Sequence, residues 1–290
     1  MGKIINKKHN MSEFIGDESE LNTLSEPESI KDILSRVYKE IALNAKTEGN
    51  VPCMSTGIHD VDRTIGGLRD TDLILVGARP GMGKTKFVLD IALNVAKTEK
   101  KGIAYFSLDT SCEQLVLMAL AAVSFIDKRK LRAGRLTDEE WQILAVTAAL
   151  LGEMDIKISD DASITVSEIT GQCKQMSNVG LIIIDNIHLM QPPEDDGVFE
   201  NGFLIKKMAQ ELNVPVICLT TLARVCLNKG DYRPELTDFR DINAIDKYAD
   251  IVIGLYRNSY YETDAEDNNH MECIILRNRR GEKDICYYKY

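Results

Sequence analysis

The chain is short of positive charge: 35 lysines and arginines stand against 45 aspartates and glutamates, a net charge of −10 over 290 residues. That balance excludes a protein coated in positive charge for nucleic acid, although a local basic channel is still allowed. The seven cysteines (53, 112, 173, 218, 226, 273 and 286) include no Cys-x-x-Cys and no Cys/His cluster, so the spacing of a metal site is missing. Several lie inside apolar runs and read as buried thiols of a reducing compartment. There is no signal peptide and no apolar run of membrane-spanning length, which points to the cytoplasm and to no membrane partner. No internal repeat or low-complexity tract breaks the chain. What is present is an apolar content of 44%, ample for the core of one large or two small α/β domains.

The chain is organised around Leu73 to Ala92 (LILVGARPGMGKTKFVLDIA). Leu73 to Val76 form an apolar run that reads as a buried strand. A loop rich in glycine and proline follows, then Lys84-Thr85, then Phe87, Val88, Ile91 and Val95 at helical spacing. Strand, glycine loop, Lys-Thr and helix are the context of a phosphate-binding P-loop. Gly81 and Gly83 allow the backbone N–H groups to turn inward around an oligophosphate. The helix dipole beginning near Lys84 favours the same anion. Lys84 can reach the β- and γ-phosphates, and the Thr85 hydroxyl can ligate Mg²⁺. The candidate nucleotide-binding residues are thus Ala78, Arg79, Pro80, Gly81, Met82, Gly83, Lys84 and Thr85. Ala78 occupies the place of the first glycine in the usual pattern.

Along the rest of the chain, residues 1–28 read as a disordered acidic tail. Residues 29–50 carry an amphipathic helix (Ile30, Ile33, Leu34, Val37, Ile41), which either folds back on its own domain or docks on a neighbouring subunit. Residues 51–290 form the main domain. Apolar strands are expected at Gly102–Leu108, Ile156–Ile158, Gly180–Asp185, Val214–Leu219 and Ala249–Leu255, with a terminal hairpin from Met271–Leu276 and Ile285–Tyr288. Helices alternate with them; the one containing Trp141 is capped by Thr137 and Glu140, and another opens at Thr165 with Glu168. The pattern is that of an α/β fold with a mostly parallel sheet covered on both faces.

Three further clusters carry chemistry. Asp185 ends four consecutive aliphatics, where the Mg²⁺-associated acid of a P-loop ATPase belongs. Asp109 ends its own apolar strand and faces the same crevice, where it can orient and deprotonate an attacking water; the alternative is a helix cap. Thr220-Thr221 can sense a γ-phosphate or, again, serve as a cap. Arg277-Asn278-Arg279-Arg280-Gly281 is either a solvated hairpin tip or an arginine finger for the ATP of an adjacent subunit. Lys128 to Arg135 is basic but lacks interleaved aromatics, which makes a weak nucleic-acid patch.

Together these residues resemble the ATPase domain of the DnaB family of replicative DNA helicases. The likeness runs from about Ser55 to Gly281. It is carried by Ser55-Thr-Gly57, Ala78–Thr85, Phe106-Ser-Leu-Asp109, Ile183-Ile-Asp185 with Leu189-Met190, Glu211–Pro215, Asp238-Phe-Arg240 with Ala249-Asp250, and Arg277-Asn-Arg279. The resemblance implies a RecA-like P-loop core with an N-terminal linker helix and a C-terminal β-hairpin. It also implies ATP and Mg²⁺ as cofactors and a hexameric ring around single-stranded DNA, with nucleotide between subunits. A helicase loader or primase is an implied partner. Lys84 and Thr85 would hold phosphates and Mg²⁺, Asp185 would be the second-motif acid, Asp109 the catalytic acid, Thr221 the sensor, and Arg279 the arginine finger acting in trans, with Arg277 a further catalytic candidate in the place of the family's usual Lys. Arg240, Asp241, Ile242 and Asn243 match the DNA-contacting loop. The chain departs from the family at Asp109 (usually Glu), Thr221 (usually Gln), Met118 (usually Arg), Arg277 (usually Lys) and in the DNA loop. These departures keep open the alternative of a weakly or non-hydrolysing assembly protein that joins or regulates a helicase ring. A third reading is a RadA-like recombination ATPase, since the related recombination ATPases share the Thr-Gly entry and the P-loop.

Overall fold

The computed structural model describes residues 28–46, 53–191, 200–222, 232–239, 245–261 and 270–289. The chain divides into two units at residue 52. In the first, helix α1 spans Ile30–Lys46. Ser29 opens it by exchanging hydrogen bonds with Asp32, and Ile30, Leu34, Val37 and Ile41 form an exposed apolar stripe.

In the second unit the described strands make an eight-stranded sheet of order β3-β2-β4-β5-β1-β6-β7-β8. β1 is Leu73–Ala78, β2 Gly102–Ser107, β3 Ile156–Ser159, β4 Val179–Asp185 and β5 Val216–Thr221. β6 is Ile251–Tyr256, β7 His270–Asn278 and β8 Ile285–Lys289. The strands from β3 to β6 pair in parallel, and β7 and β8 close the edge as an antiparallel hairpin.

The near-continuous apolar strands follow from cover on both faces. Successive residues of β1 alternate between two cores: Ile74 and Val76 join Phe87, Val88 and Ile91 of α3 (Lys84–Asn94). Leu73 and Leu75 join Ile169 of α7 (Val166–Lys174) and Ile205 and Met208 of α8 (Asn201–Leu212). The caps read from sequence form as reciprocal capping boxes: Thr137 with Glu140 opens α6 (Asp138–Gly152), and Thr165 with Glu168 opens α7. Among the described residues the remaining α-helices are α2 (His59–Ile65), α4 (Cys112–Ser124), α5 (Lys128–Ala133) and the one-turn α9 (Ile245–Tyr248). The basic segment from Lys128 is therefore a short helix, capped by the Asp127 side chain, which accepts from the Arg129 N–H. Thr220 and Thr221 close β5 rather than follow it.

Because β1, β2, β4 and β5 are parallel, their carboxyl ends share one edge of the sheet, with the loop from Ala78 to Lys84 in their midst. Parallel α/β sheets bind ligands at such an edge.

Candidate active site

The cradle begins at Ala78, the last residue of β1. It is fully buried and pairs with Thr221 of β5. Its backbone stays outside the left-handed region that Gly81 (φ 79°) and Gly83 (φ 97°) occupy. A methyl group is therefore tolerated at 78, whereas the two glycines are required where they stand. Gly83 is the N-cap of α3 and no side chain caps that end, so the first N–H groups of the helix are left for an anion.

Lys84 Nζ sits 3.4 Å from the Ala78 carbonyl, curled over the loop. Burial lowers its pKa, and the carboxylates of Asp185 and Asp109 oppose that shift. Thr85 Oγ1 donates to Asp185 Oδ2 at 2.8 Å, and the Tyr105 hydroxyl donates to the same oxygen at 3.2 Å. Asp185 is only 3% exposed. Burial raises its pKa, while the bonds from Thr85 and Tyr105 and the charge of Lys84 pull it back.

Asp109 lies beside this group. The Leu108 N–H donates to the Asp185 carbonyl at 2.5 Å, tying the ends of β2 and β4 together. Asp109 is exposed, and its charge is felt by both Lys84 and Asp185. It does not cap α4; Ser111 does, accepting from the Gln114 N–H. Nor is Thr221 a cap. Its hydroxyl accepts from Asn186 Nδ2 at 2.8 Å, and the Leu222 N–H reaches back to the Ala78 carbonyl at 3.0 Å. His188 Nε2 lies 2.8 Å from Thr220 Oγ1 and 3.1 Å from the Thr221 carbonyl. Asn186 and His188 escaped the sequence reading; the only signal was their position directly after the Asp185 strand.

Arg79 contributes backbone to the loop, but its side chain turns aside. Its Nη1 donates to the Tyr261 hydroxyl at 2.6 Å, and its guanidinium packs on the rings of Tyr232 and Tyr261. Those rings stack 4.3 Å apart. This aromatic clamp was also invisible to sequence, because its members are far apart in the chain.

Arg277 and Arg279 lie elsewhere. β7 runs antiparallel to β6 with Asn278 opposite Ile251, so these arginines stand at the sheet edge opposite the cradle. Arg277 is half-buried and donates to the Asp246 carbonyl. Arg279 donates to the Lys247 carbonyl at 2.9 Å and lies 3.7 Å from Asp250, with its side chain 51% exposed. Arg280 pairs with Asp72 at 2.7 Å. The cluster is thus a strand end plus an anchored turn rather than a freely solvated tip. The candidate DNA loop, Arg240, Asp241, Ile242 and Asn243, lies outside the described residues, as do residues 1–27 of the acidic tail.

A parallel core from β3 to β6, a glycine loop with left-handed turns, and a lysine and threonine beside a buried strand-end aspartate define a RecA-like P-loop domain. The chain belongs to the family described as the DnaB-like helicase C terminal domain, whose model matches residues 53–290. The replicative DNA helicase DnaB of Geobacillus stearothermophilus is 40% identical over 262 residues, covering 87% of this chain and 58% of the relative. The chain therefore spans a little over half the length of that relative. Among solved structures, one of an ATPase domain superposes with a TM-score of 0.84 at 28% identity, covering 91% of this chain and 96% of the other. A DnaB-like replicative helicase, solved in a study of its interactions with primase, gives 0.79 at 28% identity, covering 90% and 64%. Family membership favours the helicase reading over the recombination-ATPase alternative. Among the described residues no helix is long and apolar enough to cross a membrane.

Proposed function

We propose that this chain is the motor domain of a DnaB-like replicative helicase: it binds and hydrolyses ATP with Mg²⁺ and assembles as a ring on single-stranded DNA in the cytoplasm. The observation that carries the reading is the Thr85–Asp185 hydrogen bond of 2.8 Å beneath a left-handed glycine loop. It joins the helix that would bind phosphate to the acid that would hold the metal's water.

The residues present fit Mg²⁺. A hydroxyl and a carboxylate are hard oxygen donors, and Mg²⁺ takes one or two such protein groups and completes its shell with phosphates and water. Among the described residues no cluster of three or more His, Cys, Asp or Glu could hold a metal alone, so the nucleotide would supply the rest. When bound, Mg²⁺ neutralises charge developing on the β- and γ-phosphates.

The chain's own residues divide the remaining work. The loop from Ala78 to Thr85 wraps the phosphates with backbone N–H groups, and Lys84 neutralises the β- and γ-oxygens. Asp109 accepts the proton of the attacking water; being exposed, it is reached readily by solvent. Thr221, held by Asn186, registers the γ-phosphate from β5. Arg279 cannot serve its own cradle from the opposite sheet edge, so it completes the site of a neighbouring copy, with Arg277 fixing the strand end beside it. The loop at residues 240–243 would line the DNA channel, α1 would be the linker helix to the next subunit, and a loader or primase would be the further partner.

The test is ATP turnover by the purified chain, with and without single-stranded DNA, on a sample whose assembly state is read by light scattering. DNA-stimulated turnover by a ring is expected. Tight nucleotide binding with negligible turnover would overturn the motor reading in favour of a nucleotide-dependent assembly component.

A further inference from the structure

Tyr105 sits in the middle of an apolar strand and is 1% exposed. Its ring belongs to the core on the α3 face, packed with Ile103, Leu181 and Ile183. A phenylalanine would fill that space equally well, and a buried hydroxyl without a partner destabilises a protein by about 1–3 kcal/mol. The hydroxyl is therefore explained only by what it bonds. Among the described residues that partner is Asp185 Oδ2, at 3.2 Å.

The register brings the two groups within reach. β2 and β4 pair in parallel with Tyr105 opposite Ile183 and Ser107 opposite Asp185. Tyr105 and Asp185 are therefore two residues out of register, and side chains two apart point to the same face. Two residues of strand rise about 6.6 Å, roughly the reach of a tyrosine from Cα to its oxygen. Thr85 approaches the same carboxylate oxygen from the helix side at 2.8 Å. Oδ2 is thus held from two directions, which fixes the plane of the carboxylate. Oδ1 has no protein partner among the described residues.

We propose that Tyr105 is a positioning residue for the metal: its buried hydroxyl and that of Thr85 clamp Asp185 Oδ2, so that Oδ1 is presented to the water shell of a divalent cation arriving with nucleotide. A phenol is protonated at neutral pH, so the Tyr105 hydroxyl donates to the carboxylate. The inference rests on the reading of Thr85 and Asp185 as the metal-associated pair. Partners that orient a metal-associated group typically change metal affinity by about 10–100-fold when removed. Tyr105 acts one contact further out, through an acid that touches the metal's water, and a loss of about three- to tenfold follows.

The experiment is a Mn²⁺ titration of the full chain bound to ADP, followed by the electron paramagnetic resonance of free Mn²⁺, for the parent and for Tyr105→Phe. ADP affinity without metal and far-UV circular dichroism are measured beside it. Expected is a three- to tenfold weaker Mn²⁺ dissociation constant in Tyr105→Phe, with metal-free ADP affinity unchanged within twofold. Unchanged Mn²⁺ affinity in a folded variant, or an equal loss of metal-free ADP affinity, overturns the proposal. A parent chain that binds ADP but recruits no Mn²⁺ overturns the metal-pair reading itself, and that is seen without any variant. Should Tyr105→Phe not fold, a chain carrying 3-fluorotyrosine at position 105 preserves size and hydroxyl. Its fluorine resonance must move when Mg²⁺ joins bound ADP, and a resonance indifferent to Mg²⁺ refutes the proposal.

Discussion

Replacing Arg280 with methionine removes the partner of a nearly buried acid and leaves a side chain of similar length to fill the space. Asp72 lies just before β1, and its side chain is 9% exposed against 18% for Arg280. Breaking a buried ion pair from one side typically destabilises by about 3–5 kcal/mol. Two features reduce that here. Asp72 keeps the hydrogen bond from the Arg69 N–H at 3.0 Å. Arg280 itself carries buried Nε and Nη1 atoms with no hydrogen-bond partner, and that penalty disappears with it. The expected loss is about 2 kcal/mol at pH 7, or about 4–8 °C in Tm for a chain of this size. The pH dependence follows from Asp72. Burial holds its folded-state pKa above the ordinary carboxylate value, and Arg280 is among the groups that restrain it. Without Arg280 the folded-state pKa rises further. The folded variant then takes up a proton that the unfolded chain releases near pH 4, so protonation favours the fold. The penalty of the variant is full above the raised pKa and shrinks as pH falls toward 4. Thermal melts of parent and variant at steps from about pH 7.5 down to about pH 4 check this. A difference below about 0.5 kcal/mol, or one constant across that range, would refute the reasoning.

Other outcomes follow from the same geometry. Lys84→Ala is expected to abolish turnover and weaken Mg·ATP binding in equilibrium titration, because the loop loses its only lysine at the phosphates. Asp109→Asn should abolish turnover while leaving nucleotide affinity within about threefold, since Asp109 stands beside the cradle without forming it; undiminished turnover would remove it from the mechanism. Thr165→Ala breaks a reciprocal capping box and should lower stability by about 1 kcal/mol in urea melts, with turnover unchanged. The thiol of Cys173, pushed up to about 12 by burial, should resist a disulfide reagent at pH 8 until the chain is unfolded.

The parts of the fold governed by local rules were legible in the sequence. The two capping boxes, the strand–loop–helix of the cradle and the all-apolar strands are each specified within a dozen residues, and each appears at or close to its expected bounds, with β5 and β6 displaced toward their carboxyl ends. What escaped depends on register between distant segments. Tyr105 looked like one more apolar strand residue until β4 placed Asp185 two residues above it. The clamp on Arg79 joins Tyr232 and Tyr261 to a loop more than 150 residues earlier. The arginine cluster read equally as a solvated hairpin tip or an arginine finger, because its composition is that of a turn. β7 instead continues to Asn278, which buries Arg277 by half and pairs Arg280 with Asp72. Asp109 could not be separated from a cap by sequence, since Ser111 two residues on is an equally good candidate, and it is Ser111 that bonds the helix end.

The ATP site proposed for this chain is completed by two copies of it, with Lys84 from one and Arg279 from the other. The most direct test mixes Lys84→Ala and Arg279→Ala chains, each inactive alone, in equal amounts under conditions that let subunits exchange, and measures ATP turnover. If Arg279 acts in trans, random assembly leaves about a quarter of the interfaces with both residues intact, and turnover should recover to roughly that share of the parent. A mixture as inactive as its components, in assemblies shown by light scattering to contain both, would contradict the account.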